Sequence, residues 1–198
     1  MSPVCVRSTG LRRGATAAHH APMAMSEAAA GELCRLLDAH GLDYWVIGGW
    51  GVDALIGRGT RAHKDLDLLL PLSQHARTWR LLHDHQFSLQ YRWDENVDVP
   101  GELLPGAVQP TAYVLEDPIG RQLDVHVVDD RSPAVRPLWA TDQQFVAGAL
   151  EAEGHIDGMR VRCMSAQMQL LAHEGYELPA TQQADVVLLR SLLDRTCP

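Results

Sequence analysis

The sequence predicts an α/β (α+β) protein in which a mixed sheet domain is followed by a mostly helical C-terminal part. Two observations favour this class. Short apolar runs of strand length alternate with amphipathic stretches over the first two thirds of the chain, and helical patterns dominate its end. We therefore divide the 198 residues into a flexible extension (1–25), a sheet domain (26–140) and a helical part (141–198).

Three helices and two strands are predicted in the first half of the chain. Ser26 suits the N-cap of the first helix, and Gly41 suits its end. The pair Gly48 and Gly49 separates the first strand from the second helix, and Ser73 begins the third helix. The predicted helices span residues 26–40, 50–57 and 73–86, and the predicted strands span residues 43–48 and 65–70.

In the second half of the chain, two strands flank the turn "DPIG", in which Pro118 fixes φ and Gly120 closes the turn. Residues 94–110 hold three prolines and two glycines, so we predict a long loop there. The predicted elements are strands at 111–117 and 121–129, a turn and strand at 155–164, and helices after Ser165 and at 181–193.

Composition and charge exclude several classes of protein. The net charge of −8 argues against a general binder of nucleic-acid phosphates. No apolar run approaches the length of a membrane span, and the basic residues 1–25 lack the continuous apolar region of a secretory signal. The four cysteines are widely spaced without a CxxC pair, which is typical of reduced thiols in a cytoplasmic protein.

Two aspartates interrupt the apolar strand "DLDLLL". Side chains alternate across a strand, so Asp65 and Asp67 should face the same side about 6.6 Å apart, with Leu66 and Leu68 in the core. Two such carboxylates repel each other, and a divalent cation relieves the repulsion. Oxygen ligands suit Mg²⁺, which takes the rest of its ligands from water and substrate phosphates and so implies a nucleoside triphosphate. The alternative is an edge strand with two solvated aspartates.

Groups suited to a triphosphate precede this acid pair. Gly48 and Gly49 would let backbone N–H groups approach a phosphate, although they are also compatible with a plain turn. A third acid, Asp124, lies in a strand, and on a neighbouring strand it would complete a site for one or two metals and in-line nucleotidyl transfer. Four side chains that pair with phosphates, or are merely solvated, lie between the glycines and the acids: Arg58, Arg61, His63 and Lys64.

Four segments carry a resemblance to a known family: "YWVIGGWGVDALIG", "TRAHKDLDL", "LDVH" and "CMSAQMQLLAHEGYEL". They resemble the lincosamide nucleotidyltransferases and, more distantly, the aminoglycoside 2''-nucleotidyltransferases, both of the polymerase-β-like nucleotidyltransferase superfamily. The likeness covers roughly residues 40–193. It implies Mg²⁺-dependent transfer of a nucleoside monophosphate, usually AMP from ATP, to a hydroxyl of a small antibiotic, with release of pyrophosphate.

The resemblance also implies roles for the acids. Asp65 and Asp67 match the metal-binding DxD of the family. Asp124 matches its third acid, which completes the metal shell or acts as the general base. His126 shares the face of Asp124 by strand alternation, and would orient substrate or Asp124 or serve as a structural histidine.

The same resemblance implies a nucleotide-binding set. Gly48 and Gly49 match the glycine pair beside the nucleotide phosphates. Arg61 and His63 match the "R-x-H" that precedes the DxD, so we expect both to contact the triphosphate. Asp53, on the helix after the glycines, is expected to be a structural cap or an arginine partner.

The C-terminal helices of these families help to form the wall of the acceptor pocket, and here the sequence departs from its relatives. Thr181 and Gln182 replace a basic–acidic pair, and only Asp185 remains of the acids in that region. The segment "HEGYE" (173–177) would line the acceptor pocket, or would place Tyr176 in the helix junction with His173 as a cap. Trp45 and Trp50 are candidates for stacking on a base or sugar, or for the core.

The first-choice acceptor is a lincosamide and the alternative is an aminoglycoside. Three other functions stay open: a zinc or manganese hydrolase built on the histidines and acids, a nucleotidyltransferase acting on protein or tRNA, and a non-catalytic nucleotide-binding regulator. The expected partners are therefore the antibiotic and the nucleoside triphosphate, with neither nucleic acid nor membrane. A homodimer is compatible with the resemblance.

Overall fold

The computed structural model describes residues 24–101, 108–131, 134–140, 144–174 and 177–196. Within these ranges the chain forms helices and strands in a mixed order. The helices are α1 Glu27–Ala39, α2 Gly48–Ile56, α3 Leu72–Asp84, α4 Ala166–Ala172 and α5 Ala180–Thr196. The strands are β1 Trp45–Val46, β2 Asp65–Pro71, β3 Ser88–Arg92, β4 Val99–Pro100, β5 Val108–Gln109, β6 Ala112–Glu116, β7 Gln122–Asp129, β8 Arg136–Pro137, β9 Ala152–Ile156 and β10 Met159–Cys163.

One mixed sheet organises the described part of the protein. Its strands follow the order β3-β6-β7-β2-β1-β10-β9, and β8 adds to β7. The pairs β2–β7 and β1–β10 are parallel, and the other pairs are antiparallel. Strands β4 and β5 form a separate two-stranded ribbon. The predicted mixed α/β class is confirmed.

The two faces of the sheet have different coverings. Leu66, Leu68 and Leu70 of β2 are fully buried in a core with residues of α1 and α3. The alternate positions point to the opposite face, where Leu69 joins a second apolar cluster that includes Met168 of α4. Asp65 and Asp67 lie on this second face, so the acids stand beside an apolar cluster and outside the main core.

The cap predicted at Ser26 is confirmed, and Ser165, after which a helix was predicted, also acts as an N-cap. The Ser26 hydroxyl accepts a hydrogen bond from the N–H of Ala29 (3.2 Å), and the Ser165 hydroxyl accepts one from Met168 (3.3 Å). Helix α2, however, begins at Gly48, two residues earlier than predicted. The first helical bond joins the Gly51 N–H to the Ile47 carbonyl, so the glycine pair forms the first turn and is no separate loop.

Several strands of the structure were not predicted from the sequence. All five residues of β3 are exposed, and no strand was predicted at its position although its sequence SLQYR alternates polar and apolar residues. A hairpin, β9 and β10, replaces the single strand predicted at 155–164 and extends the sheet from within the segment predicted to be mostly helical. Its turn places Asp157 and Gly158 at positive φ (49° and 73°).

Two predicted irregular segments lie partly outside the described residues. Residues 1–23 of the extension are outside them, whereas Met25 is buried and donates its N–H to the His63 carbonyl (2.8 Å). In the loop predicted at 94–110, residues 102–107 are outside the described ranges, and the flanking residues contain β4 and β5. None of the described helices combines the length and apolarity needed to cross a membrane.

Candidate active site

The three predicted acids lie on adjacent strands. Asp67 of β2 is paired in register with Asp124 of the parallel strand β7, and Asp65 is paired with Gln122. Paired residues of neighbouring strands point to the same face, so the structure brings all three carboxylates to one face of the sheet.

The acids disfavour one another's charge. Burial and then the charges of Asp65 and Asp124 raise the pKa of Asp67 well above its usual range. Burial also raises the pKa of Asp65; Lys64 opposes this increase, with its Nζ 3.6 Å from Asp65 Oδ2, and Asp124 adds to it. Such a cluster of oxygen donors is suited to a hard divalent cation, which would compensate the shared negative charge.

A ready-made metal site is not assembled among the side chains of the described ranges, where no group of three or more His, Cys, Asp or Glu residues is arranged to hold an ion. The reason lies in the present contacts of the acids. Lys64 neighbours Asp65, and Asp124 Oδ1 accepts a hydrogen bond from Trp93 Nε1 (2.9 Å). A metal bound here would share Asp65 and Asp124 with Lys64 and Trp93.

Asp124 belongs to a buried network that the sequence did not reveal. His126 Nδ1 lies 3.4 Å from Asp124 Oδ1, and His126 Nε2 lies 3.3 Å from Glu95 Oε1. Burial opposes protonation of His126, but Asp124 and Glu95 outweigh it and raise the pKa of His126 to about 9. Trp93 and Glu95 lie just after the end of β3, Glu95 in a turn, so no periodicity of the sequence indicates that they meet Asp124 and His126.

The glycine pair stands directly against the site. Gly48 adopts φ +58°, and a β-carbon there would overlap the Asp67 carboxylate. A β-carbon on Gly49 would overlap the His63 ring and approach Arg61 Nη2 to 2.6 Å. The first turn of α2, with N–H groups that precede the first helical bond, thus faces Asp67, Arg61 and His63 together.

Asp53 holds His63 in place. His63 Nε2 donates to Asp53 Oδ2 (2.6 Å), and the Thr60 N–H donates to the same oxygen (3.1 Å). Burial would raise the pKa of Asp53, but the bonds from His63 and Thr60 outweigh it and lower that pKa. The structural role expected for Asp53 is confirmed, since its carboxylate caps the Thr60 N–H, but its side-chain partner is His63 and not an arginine.

Of the four cationic or polar side chains predicted before the acids, two reach the glycines. Arg61 and His63 do so, whereas Lys64 lies beside Asp65 and Arg58 lines a groove against α5. Arg61 also donates to both oxygens of Asp185 on α5, from Nε (3.1 Å) and Nη2 (2.7 Å). This bond with Asp185 raises the pKa of Arg61.

The candidates for stacking on a base or sugar, and His173 of the acceptor segment, have structural contacts. Trp45 donates its Nε1–H to the Leu150 carbonyl (2.9 Å), and Trp50 is buried with its ring 4.5 Å from that of His63. His173 ends α4, with Nδ1 2.6 Å from the Gln169 carbonyl. Gly175 and Tyr176 lie outside the described residues.

Comparison with known proteins gives two kinds of relative. A lincosamide resistance protein of Staphylococcus haemolyticus is 26% identical over 152 residues, which are 75% of this chain and 84% of that protein. A 2''-aminoglycoside nucleotidyltransferase of Escherichia coli is 50% identical over 135 residues, which are 65% of this chain and 61% of that enzyme. The chain therefore spans less than two thirds of the aminoglycoside relative.

Solved structures and a family model agree with these relatives. The lincomycin-bound crystal structure of the lincosamide antibiotic adenylyltransferase LnuA superposes with a TM-score of 0.69 at 23% identity, covering 86% of this chain and 99% of LnuA, which shows a shared fold. The model of the aminoglycoside-2''-adenylyltransferase family matches residues 31–189. Since this match spans most of the chain, the protein belongs to the aminoglycoside-2''-adenylyltransferase family and is a nucleotidyltransferase.

Proposed function

We propose that this enzyme transfers a nucleoside monophosphate, AMP from ATP in the first instance, to a hydroxyl of a small sugar-containing antibiotic. The hydroxyl oxygen forms a bond to the α-phosphorus, and the bond from that phosphorus to the pyrophosphate leaving group breaks. One observation carries the proposal: Asp65, Asp67 and Asp124 share a sheet face directly beside the first turn of α2. Acids next to a phosphate-binding helix terminus are what nucleotidyl transfer requires.

The triphosphate would bind at the start of α2. The N–H groups of its first turn carry partial positive charge, and Gly48 and Gly49 leave room for close approach. Arg61 and His63 lie against the same turn and add donors for the phosphate oxygens. His63 would donate to a phosphate from Nδ1–H as the doubly protonated imidazolium, since its Nε2–H donates to Asp53.

Asp65, Asp67 and Asp124 would hold Mg²⁺, because their oxygens are hard donors and their buried charges lack full compensation. A bound Mg²⁺ would neutralise charge that develops on the phosphoryl group and the leaving pyrophosphate. Asp124 would also take the proton of the attacking hydroxyl. Trp93 and the neighbouring His126 both contact Oδ1 of this carboxylate, so Oδ2 would be the oxygen that takes the proton.

The alternative of a zinc or manganese hydrolase is less consistent with the geometry. Such a site would use His63 and His126 as ligands beside the acids. His126 is unsuited to bind a metal, because both its ring nitrogens face carboxylates, Nδ1 at Asp124 (3.4 Å) and Nε2 at Glu95 (3.3 Å), and its raised pKa favours the protonated ring. The net charge of −8 likewise favours a small acceptor over tRNA.

For the acceptor, we propose a lincosamide first and an aminoglycoside second. The Staphylococcus haemolyticus lincosamide resistance protein aligns over 84% of its length, which supports the first choice. The second choice rests on the 50% identity to the Escherichia coli aminoglycoside enzyme and on the family model.

A panel of lincosamides and aminoglycosides, each incubated with Mg²⁺ and ATP, GTP, CTP or UTP, tests this proposal. Mass spectrometry should show one drug gaining one nucleoside monophosphate, with pyrophosphate formed in equal amount. Modification of a drug without any nucleotide would support the hydrolase, and transfer only to tRNA or protein would replace the antibiotic as substrate. The absence of any transfer would reject the proposal.

A further inference from the structure

We propose that Asp185 is a positioning residue of the nucleotide site, through which the C-terminal helix α5 sets the orientation of Arg61. The inference rests on the proposed function, because it takes Arg61 as a ligand of the triphosphate. It goes beyond that function by making α5 a part of nucleotide binding.

The geometry of the Arg61–Asp185 pair is the first argument. Two parallel hydrogen bonds, of 3.1 and 2.7 Å, join the Nε–Nη2 edge of Arg61 to the two carboxylate oxygens. This bidentate arrangement fixes the plane of the guanidinium as well as its position. A further bond, from Nη1 to the Ala62 carbonyl (3.2 Å), holds the third nitrogen. These bonds use three of the five N–H groups of Arg61 and leave two for a phosphate.

The place where the guanidinium is held is the second argument. Its Nη2 lies 2.6 Å from where a β-carbon on Gly49 would be, so the charged group rests against the first turn of α2. The same turn also contacts Asp67, since a β-carbon on Gly48 would overlap its carboxylate. Asp185 therefore holds the cation against the turn of α2 that also contacts Asp67.

The exposed fractions of the two side chains indicate whether Arg61 would stay bonded to Asp185 when a phosphate binds. The Asp185 side chain is 3% exposed, whereas that of Arg61 is 26% exposed. A carboxylate buried so deeply is strongly disfavoured when it loses its partner. A triphosphate should therefore add to the pair through the exposed side of Arg61 and leave Asp185 bound.

Helix α5 is firmly attached at this point. Leu189, one turn after Asp185 on the same side of the helix, is fully buried against Val52 of α2 and Ala166 of α4. The packing of α5 on α2 thus fixes the distance between Asp185 and Arg61. The Arg61–Asp185 pair, whose members are 124 residues apart in the sequence, thus connects the last helix to the proposed nucleotide site.

The test is Asp185→Asn, which retains the shape of the side chain and removes its charge. The dissociation constant of Mg²⁺–ATP, followed by tryptophan fluorescence, and the KM for ATP should both rise roughly tenfold, because Arg61 loses its fixed orientation. The KM for the antibiotic should stay within about twofold of the wild type. The matched control, Asp157→Asn, breaks the exposed Arg35–Asp157 ion pair (2.5 Å) and should leave ATP binding unchanged.

A second variant guards against misfolding. Asp185→Glu retains the negative charge that compensates Arg61 and moves it by one methylene, so it should fold and still weaken ATP binding severalfold. Unchanged or tighter ATP binding in both variants would overturn the inference. If the wild type binds ATP but transfers nothing to any antibiotic, the proposed function fails while weaker ATP binding by the Asp185 variants still supports this inference. If the wild type binds no nucleotide, both fail.

Discussion

At the scale of single residues, steric contacts restrict which residues can stand next to the acids. Gly48 is the clearest case, since it combines a left-handed backbone (φ +58°) with direct contact to the Asp67 carboxylate. Any side chain there would be strained and would displace the Asp67 carboxylate. The position of this acid therefore requires the glycine.

Gly48→Ala should therefore lower the transfer rate at least about 100-fold and destabilise the fold by about 1 to 3 kcal/mol. Gly57→Ala is the matched control, because Gly57 also has positive φ (82°) but a β-carbon there meets no atom within 4 Å. Gly57→Ala should lower the free energy of unfolding through backbone strain alone and should retain the transfer rate. Equal rates for the two variants would show that contact with Asp67 is unimportant.

His75 should give the fold a measurable pH dependence. Burial lowers the pKa of His75 from 6.5 to about 4, and its neighbour Tyr113, which lies 3.0 Å from Nε2, is kept neutral because burial raises its pKa. Between pH 6.5 and 4 the unfolded chain binds a proton at this position and the folded chain does not. The free energy of unfolding should therefore fall on acidification, by on the order of 3 kcal/mol from His75.

Chemical denaturation at several pH values, for the wild type and for His75→Phe, measures this contribution. The variant should show a shallower decline of stability between pH 6.5 and 4. Parallel curves would mean that His75 is protonated in the folded protein as readily as in the unfolded one.

At the scale of elements, helix α2 is held between the sheet and α5. Its buried Val52 packs against α5, and on another side a β-carbon on Gly154 of β9 would overlap the backbone of Ala54. This close approach fixes the helix whose first turn faces the acids. The position of the first turn of α2 therefore depends on a strand that has no residue in the site.

Gly154→Ala should force β9 away from α2 and destabilise the protein by about 1 to 3 kcal/mol through overpacking. The exposed neighbour His155 on the same strand provides the control, since His155→Ala should change the free energy of unfolding by less than about 0.5 kcal/mol. Urea denaturation compares the two variants. If Gly154→Ala were as stable as the control, β9 and α2 would be able to move apart at little cost in free energy.

At the scale of the whole molecule, the site joins parts of the chain that are far apart in sequence. Residues 48–67 contain the first turn of α2, the side chains of Arg61 and His63, and two of the acids. Residues 124–126 contain Asp124 and His126, whose partners Trp93 and Glu95 follow β3. Asp185 belongs to the last helix. Helix α5 and the segment that follows β3 hold these residues in place, although no periodicity in their sequences predicts the contacts they make with the acids and Arg61. Substitutions that displace α5 or the segment after β3 should therefore lower the rate of nucleotidyl transfer.

Sequence reasoning could predict the parts of this assembly that depend on local periodicity or family motifs. Strand alternation placed Asp65 and Asp67 on one side with Leu66 and Leu68 in the core, and the caps at Ser26 and Ser165 located two helix starts. The rest depends on tertiary contacts. The Trp93–Asp124 bond, across 31 residues, cannot be derived from local spacing.

The central claim, that the acids on this sheet face drive nucleotidyl transfer, is tested most directly by Asp67→Asn. Transfer of a nucleoside monophosphate to the antibiotic found in the panel should fall at least about 100-fold, because the site loses the carboxylate that stands between Asp65 and Asp124. The variant should remain folded, since it replaces a buried charge with a neutral group of the same shape. The control is Asp129→Asn, which changes an acid at the far end of β7 and should leave the rate unchanged. A folded Asp67→Asn enzyme with the full wild-type rate would contradict the account.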